Sequence, residues 1–387
     1  MHEVGHTLGL RHNFRSSAST PLDRLYDAEF TARNGVFSSV MEYPTVNLNP
    51  DGPTGHYYNP GPGSYDRWAV SFAYTPEQAD ADALAREVAE LEHMYGGESG
   101  GSGAMDPTIN TYDLGADPLG WGTARTAMIR DLVRELPDYA LVDNAPYSDL
   151  TSAYGQLMNE YARAVAPAVK YLGGQYLNRD RVGDGREPFV NVPRAEQEEA
   201  LAMIVDRVFV EDALAVAPET LRRFSPSWWS HWGTNSSFGG RLDFPYHEQV
   251  LSFQTSVMGQ LLNPVRLARI RDAETKYGQD MVVTIPELMG SLTDAIWSEL
   301  DGGGDIDAVR RDLQRAHVDA MTGLLVDPPD DTPADARSVA RWELDRLASR
   351  LEAAQDGSQD TYTRAHLAES LARIRMALEA GLEATEG

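Results

Sequence analysis

The first fourteen residues, MHEVGHTLGLRHNF (1–14), place three histidines and one glutamate within eleven positions. The spacing is H-E-x-x-H-x-x-G-x-x-H, carried by His2, Glu3, His6, Gly9 and His12. On an α-helix, residues four apart share a face, so His2 and His6 can aim ring nitrogens at one point. Zinc takes imidazole nitrogens at roughly 2.0–2.1 Å in a tetrahedral array, and this pair supplies half of one. Glu3 sits one step round the helix, placed to hold a water rather than to bind the metal. Gly9 can take positive φ, which ends the helix and turns the chain. That turn would bring His12 back as a third ligand and leave the fourth position open.

The pattern is specific. With His at 9 and Gly at 33 of 387 residues, five fixed positions arise by chance on the order of 10⁻⁵ per chain. The bland alternative is a helix with surface histidines and a glycine cap.

This long motif resembles the metzincin metallopeptidases. The class has a tight turn whose methionine lies beneath the zinc. Here SSVMEYP (38–44) looks like that turn, with Met41 as its methionine. The resemblance implies that Met41 packs under the histidines as an adaptable floor, not as a ligand. Tyr43 matches the position where some metzincins place a tyrosine near the metal, where it could hydrogen-bond an oxyanion. Ordinary core packing is the alternative for Met41, and a packed loop aromatic for Tyr43. HEVGHTLGLRHNF, SVMEYP, GSYDRWAVSFAY and YDLGADP together look like a bacterial group of large zinc-dependent metzincin-type proteins of unknown function. In that group a signal peptide, accessory domains and an upper sheet precede the zinc motif, and a long helical region follows it. The resemblance therefore implies a fragment of a longer enzyme, secreted or periplasmic in its full form. A ligand at position 2 would stand on a fraying turn, so weaker zinc binding than in the full-length parent is expected.

Composition bounds the rest. A chain of 387 residues can bury a sizeable core and form two or three domains. The net charge of −26, from 59 acidic against 33 basic residues, argues against nucleic acid and anionic membranes as partners. The partner expected is a protein or peptide substrate; oligomeric state is not legible. Cys is absent, which excludes a disulfide framework and a thiolate site. No run of about 18 apolar residues suggests a membrane span.

Most of the chain reads as helix. After the zinc motif come some fifty turn-rich residues. NPDGPTGHYYNPGPGSYD (49–66) holds four prolines and four glycines and must be irregular. Its His56 reads as a loop histidine before it reads as a ligand. YDRWAVSFAY (65–74) predicts a helix whose Trp68, Phe72 and Tyr74 seek a core. The next predicted helix starts with Thr75 as N-cap and Pro76 at its first position. GGESGGSG (96–103) reads as a linker or loop. Apolar spacing and Gly or Pro boundaries then predict helices over 118–136, 148–172, 194–209, 246–262, 264–277, 285–300, 305–325, 335–354 and 361–384. DMVVTIPEL (280–288) could be a short strand or a helix start, and 171–189 a turn-rich connector.

Two further clusters invite functional readings. Trp228, Trp229 and Trp232 around His231 could wall a ligand; a domain-interface core is the preferred reading. Asp301, Asp305 and Asp307 miss the calcium-loop spacing and read as a turn and N-cap.

The fold expected is mainly α. Residues 1–116 would be the C-terminal half of a metzincin-like catalytic domain, 117–328 a multi-helix region and 329–387 a helical hairpin. The function expected is a zinc-dependent endopeptidase, with Zn²⁺ on His2, His6 and His12, Glu3 as general base and Tyr43 assisting. The competing readings are a non-catalytic zinc-binding protein and a helical interaction scaffold. Intact Glu3 argues against the former, since nothing structural demands it.

Overall fold

A computed structural model describes residues 1–50, 52–89, 93–97, 104–183, 185–210, 213–227, 241–354 and 357–383. The protein is mainly helical. The helices are α1 (His2–Thr7), α2 (Ala28–Asn34), α3 (Ser64–Tyr74), α4 (Gln78–Arg86), α5 (Pro118–Arg134), α6 (Leu136–Ala140), α7 (Tyr147–Val169), α8 (Arg194–Val208), α9 (Pro218–Leu221), α10 (Tyr246–Leu261), α11 (Pro264–Tyr277), α12 (Ile285–Ile296), α13 (Glu299–Gly302), α14 (Ala308–Val326), α15 (Ala334–Ala354) and α16 (Thr361–Glu383). Among the described residues the only sheet pairs β1 (Gln175–Leu177) with β2 (Phe189–Asn191). It lies in the stretch expected to be a plain connector.

The chain forms two compact units, one of residues 1–128 with 163–190 and the other of 129–162 with 191–387. These bounds differ from the sequence-derived segments because long-range packing, invisible to composition, sets them. In the first unit, Leu25, Val36, Phe37, Leu114, Trp121 and Ala164 form a buried cluster. The loop 35–47 is thereby fixed from below, which holds the Met41 turn in place.

In the second unit, α14, α15 and α16 pack on one another, and α12 packs on α14 and α15. The expected hairpin 329–387 is thus part of this bundle. The boundary of α12 resolves the ambiguity at 280–288. Thr284 Oγ1 accepts from Glu287 N while Glu287 accepts from Thr284 N, a capping box that starts a helix rather than a strand. Asp307 caps α14 by accepting from Arg310 N, and Asp301 pairs with Arg350. The acidic run at 301–307 is therefore a turn and cap, as its spacing indicates.

Two expectations need correction. Phe72 and Tyr74 are exposed at 42% and 61%; Phe72 stacks on Trp68 and Tyr74 donates to the Leu8 carbonyl, while Trp68 also stacks on His93 and donates to the Leu84 carbonyl. The helix after residue 74 begins two residues later than expected, with Glu77 and not Thr75 at its cap. The cluster at 228–232 lies outside the described residues.

A buried histidine pair makes the second unit acid-sensitive. Trp297 Nε1 donates to His317 Nδ1 at 3.2 Å and its ring stacks on His366. His317 must be neutral to accept that bond, and protonation would set two N–H groups against each other. Burial holds His317 at about 4; burial, then Arg315 and Arg311, hold His366 at about 4. Both values are depressed from the ordinary 6.5, so the unfolded chain binds protons first. Stability is therefore intact above pH 6.5 and is lost as pH falls from 6.5 to 4. His317 alone accounts for roughly 3 kcal/mol. Thermal melts at pH 7 and 4 should show the loss, and His317→Gln should flatten it. A pH-independent melt of the second unit would refute the assignment.

Candidate metal centre

The site grows from α1 and the loop beneath it. The helix is short, with Met1 at its N-cap position. It ends where Gly9 adopts φ +88° and Leu10 N donates back to the Gly5 carbonyl, the turn that the glycine was expected to make. The reversal brings His12 back to the helix. Ring centroids of His2, His6 and His12 lie 4.9–5.3 Å apart. One ligand-capable nitrogen from each falls within 4.8 Å of the others.

Two of the rings are aimed by backbone carbonyls. His2 Nδ1 donates to Val40 O at 2.7 Å, and His6 Nδ1 donates to Leu10 O at 3.0 Å. A carbonyl can only accept, so each Nδ1 carries the proton and each Nε2 keeps its lone pair. His2 Nε2 is buried with no hydrogen-bond partner among the described residues. A buried imidazole nitrogen aimed at two others, with its outer nitrogen already anchored, fits a divalent metal that favours nitrogen donors.

Met41 is fully buried directly under α1. A Cβ added to Gly5, between the two helical histidines, would stand 2.3 Å from Met41 Sδ. The Met41 carbonyl accepts from Asn13 N, tying the turn to the chain beyond His12. Tyr43 is 39% exposed and stacks on His2 at 5.1 Å. Its hydroxyl lies 2.9 Å from His12 Nε2. Glu3 is exposed on α1 and is held by no partner among the described residues. His56 is elsewhere, its Nδ1 3.1 Å from Thr31 Oγ1, and plays no part.

Sequence reasoning missed what holds the turn. Asp66 on α3 is buried and accepts from Ser39 Oγ at 2.6 Å, Val40 N at 2.8 Å and Gly63 N at 2.8 Å. It grips the residue whose carbonyl aims His2. The signal was present: an acid three residues beyond the N-cap Gly63 is a capping residue, but its carboxylate can accept further bonds elsewhere. Gly63 must be glycine, because a Cβ there would stand 1.9 Å from the Ser38 carbonyl oxygen.

Also missed were two buried carboxyls beside the turn. Burial, then Asp113, pushes Glu42 well above the usual range, although it accepts from Ser16 Oγ and Tyr43 N. Burial pushes Asp113 up to about 6, opposed by a hydrogen bond from Asn110 and by Lys170. Both groups favour folding while protonated, so their contribution is present in acid and is lost as pH rises; for Asp113 it fades between 3.8 and about 6.

No curated protein and no solved structure matches the chain. A family model described as Met-zincin matches residues 1–304, which include α1, the Met41 turn and most of the helical region. Shared sequence over that length, on top of the histidine cluster and its methionine floor, makes this chain a member of the Met-zincin family.

Proposed function

We propose that the protein is a zinc-dependent endopeptidase, with His2, His6 and His12 as the metal ligands. The observation that carries this reading is the convergence of the three histidines with His2 and His6 anchored through Nδ1. Zinc held there would supply Lewis acidity, acidifying a water and polarising a peptide carbonyl. The rest of the chemistry belongs to the chain's own groups. Glu3, unencumbered beside His2, takes the proton from the attacking water and passes it to the leaving nitrogen. Tyr43 must give up its contact with the His12 nitrogen when that nitrogen binds metal, since one lone pair cannot serve both. The freed hydroxyl is then available to donate to the developing oxyanion. Met41 and the Val40 carbonyl take no part in bond-making; they fix where the imidazoles point.

Zinc titration with cleavage of unstructured protein substrate tests the reading. One equivalent of zinc per chain should bind, chelator should abolish cleavage, and His6→Ala should lower zinc affinity by at least about 100-fold. Chelator-resistant cleavage, or unaltered zinc binding in His6→Ala, would refute it. His6 is exposed, so its loss should leave the fold intact.

A further inference from the structure

Beside the histidine cluster lies a pocket of about 210 Å³ lined by His6, Arg11, His12 and Tyr95. Arg11 is exposed and has neither an ion pair nor a hydrogen bond among the described residues. In a chain with 59 acidic and 33 basic residues, carboxylates are abundant, and several arginines in the same unit take them. Arg15 pairs with Asp106, Arg24 with Asp27 and Arg33 with Glu29. Arg11 instead points its charge at a pocket shared with two of the three histidines. A second guanidinium, Arg179, lies 4.8 Å over the ring of Tyr95, so the aromatic wall is also electropositive.

From this geometry we propose that Arg11 is a specificity residue that binds a substrate carboxylate close to the scissile bond. The proposal rests on the peptidase reading above. A planar guanidinium matches a carboxylate in bidentate fashion, and the strongly acidic surface would otherwise repel such substrates. The carboxylate can come from an Asp or Glu side chain or from a free C-terminus. Either source would seat against Arg11 while the adjacent peptide bond lies at the histidines, because the pocket is bounded by both.

The test uses the zinc-loaded full chain and internally quenched alanine-based peptides. A single Glu or Gln is moved through the four positions flanking the cleaved bond, and each peptide is made with a free or an amidated C-terminus. The wild-type protein should favour Glu over Gln in kcat/KM by roughly tenfold at one position, or the free over the amidated terminus. The two arms thereby identify the source. Arg11→Gln should bring that ratio to about 1, and Arg11→Lys should retain part of it. Equal rates on charged and neutral peptides in the wild type, or a preference that survives in Arg11→Gln, would overturn the proposal. If no peptide is cleaved, the peptidase reading fails by itself. Fluorescence anisotropy of the labelled Glu and Gln peptides on the metal-free chain then decides Arg11. Tighter binding of the Glu peptide, abolished in Arg11→Gln, supports the pocket; indistinguishable or absent binding overturns it.

Discussion

Replacing Glu3 with Gln should lower kcat/KM by about 10²–10⁴-fold, the usual contribution of a positioned general base, while zinc affinity changes by less than about threefold. The two outcomes separate because the carboxylate is exposed and has no structural partner among the described residues. Its loss neither unfolds α1 nor disturbs the nitrogens that converge beside it. Glutamine keeps the shape and loses the basicity, so any residual rate reports on metal polarisation and substrate binding alone. Isothermal titration with zinc, paired with cleavage kinetics on the same preparation, reads both quantities. Full turnover in the variant would remove Glu3 from the chemistry and with it the proposed mechanism.

Asp66→Ala should have the largest effect on stability. One carboxylate satisfies the amides of Val40 and Gly63 and the Ser39 hydroxyl. Alanine leaves those donors stranded, at about 1–3 kcal/mol for each unsatisfied group. A total near 3–5 kcal/mol follows, large for one substitution. In a unit of this size the melting temperature should fall by roughly 6–20 °C. A second effect distinguishes Asp66 from any ordinary buried polar residue. Releasing Val40 releases the carbonyl that aims His2, so zinc affinity should drop about 10–100-fold even well below the melting temperature. Asp66→Asn keeps one acceptor and should fall between. Unchanged zinc affinity in a folded Asp66→Ala protein would show that the turn is aimed by other contacts.

The comparison of sequence with structure has a clear physical division. Features set by neighbours along the chain were legible. The H-E-x-x-H-x-x-G-x-x-H spacing located the three imidazoles and the Gly9 turn because the i, i+4 geometry of a helix pairs His2 with His6 and a positive-φ glycine returns His12 to them. The starts of α5, α8, α11 and α16 match their predicted positions because Pro, Gly and polar caps mark them locally. Features set by residues distant in sequence were not legible. Asp66 serves a turn 26 residues upstream, and nothing in GPGSYD shows that its carboxylate reaches that far. Glu42 and Asp113 come together across some seventy residues, a burial no periodicity encodes. Phe72 and Tyr74 have the composition of core residues but stay exposed. The β1–β2 pair arises within a stretch whose glycines and alternating charges suppress any strand signal.

The sealed position of Met41 bears on how the protein meets oxidants. Met1, Met281 and Met376 are exposed at 68%, 52% and 69%, whereas the Met41 sulfur is wedged against Gly5 with no solvent access. Peroxide should convert the three outer thioethers to sulfoxides first, sparing the one whose extra oxygen would have to push against the histidine-bearing helix.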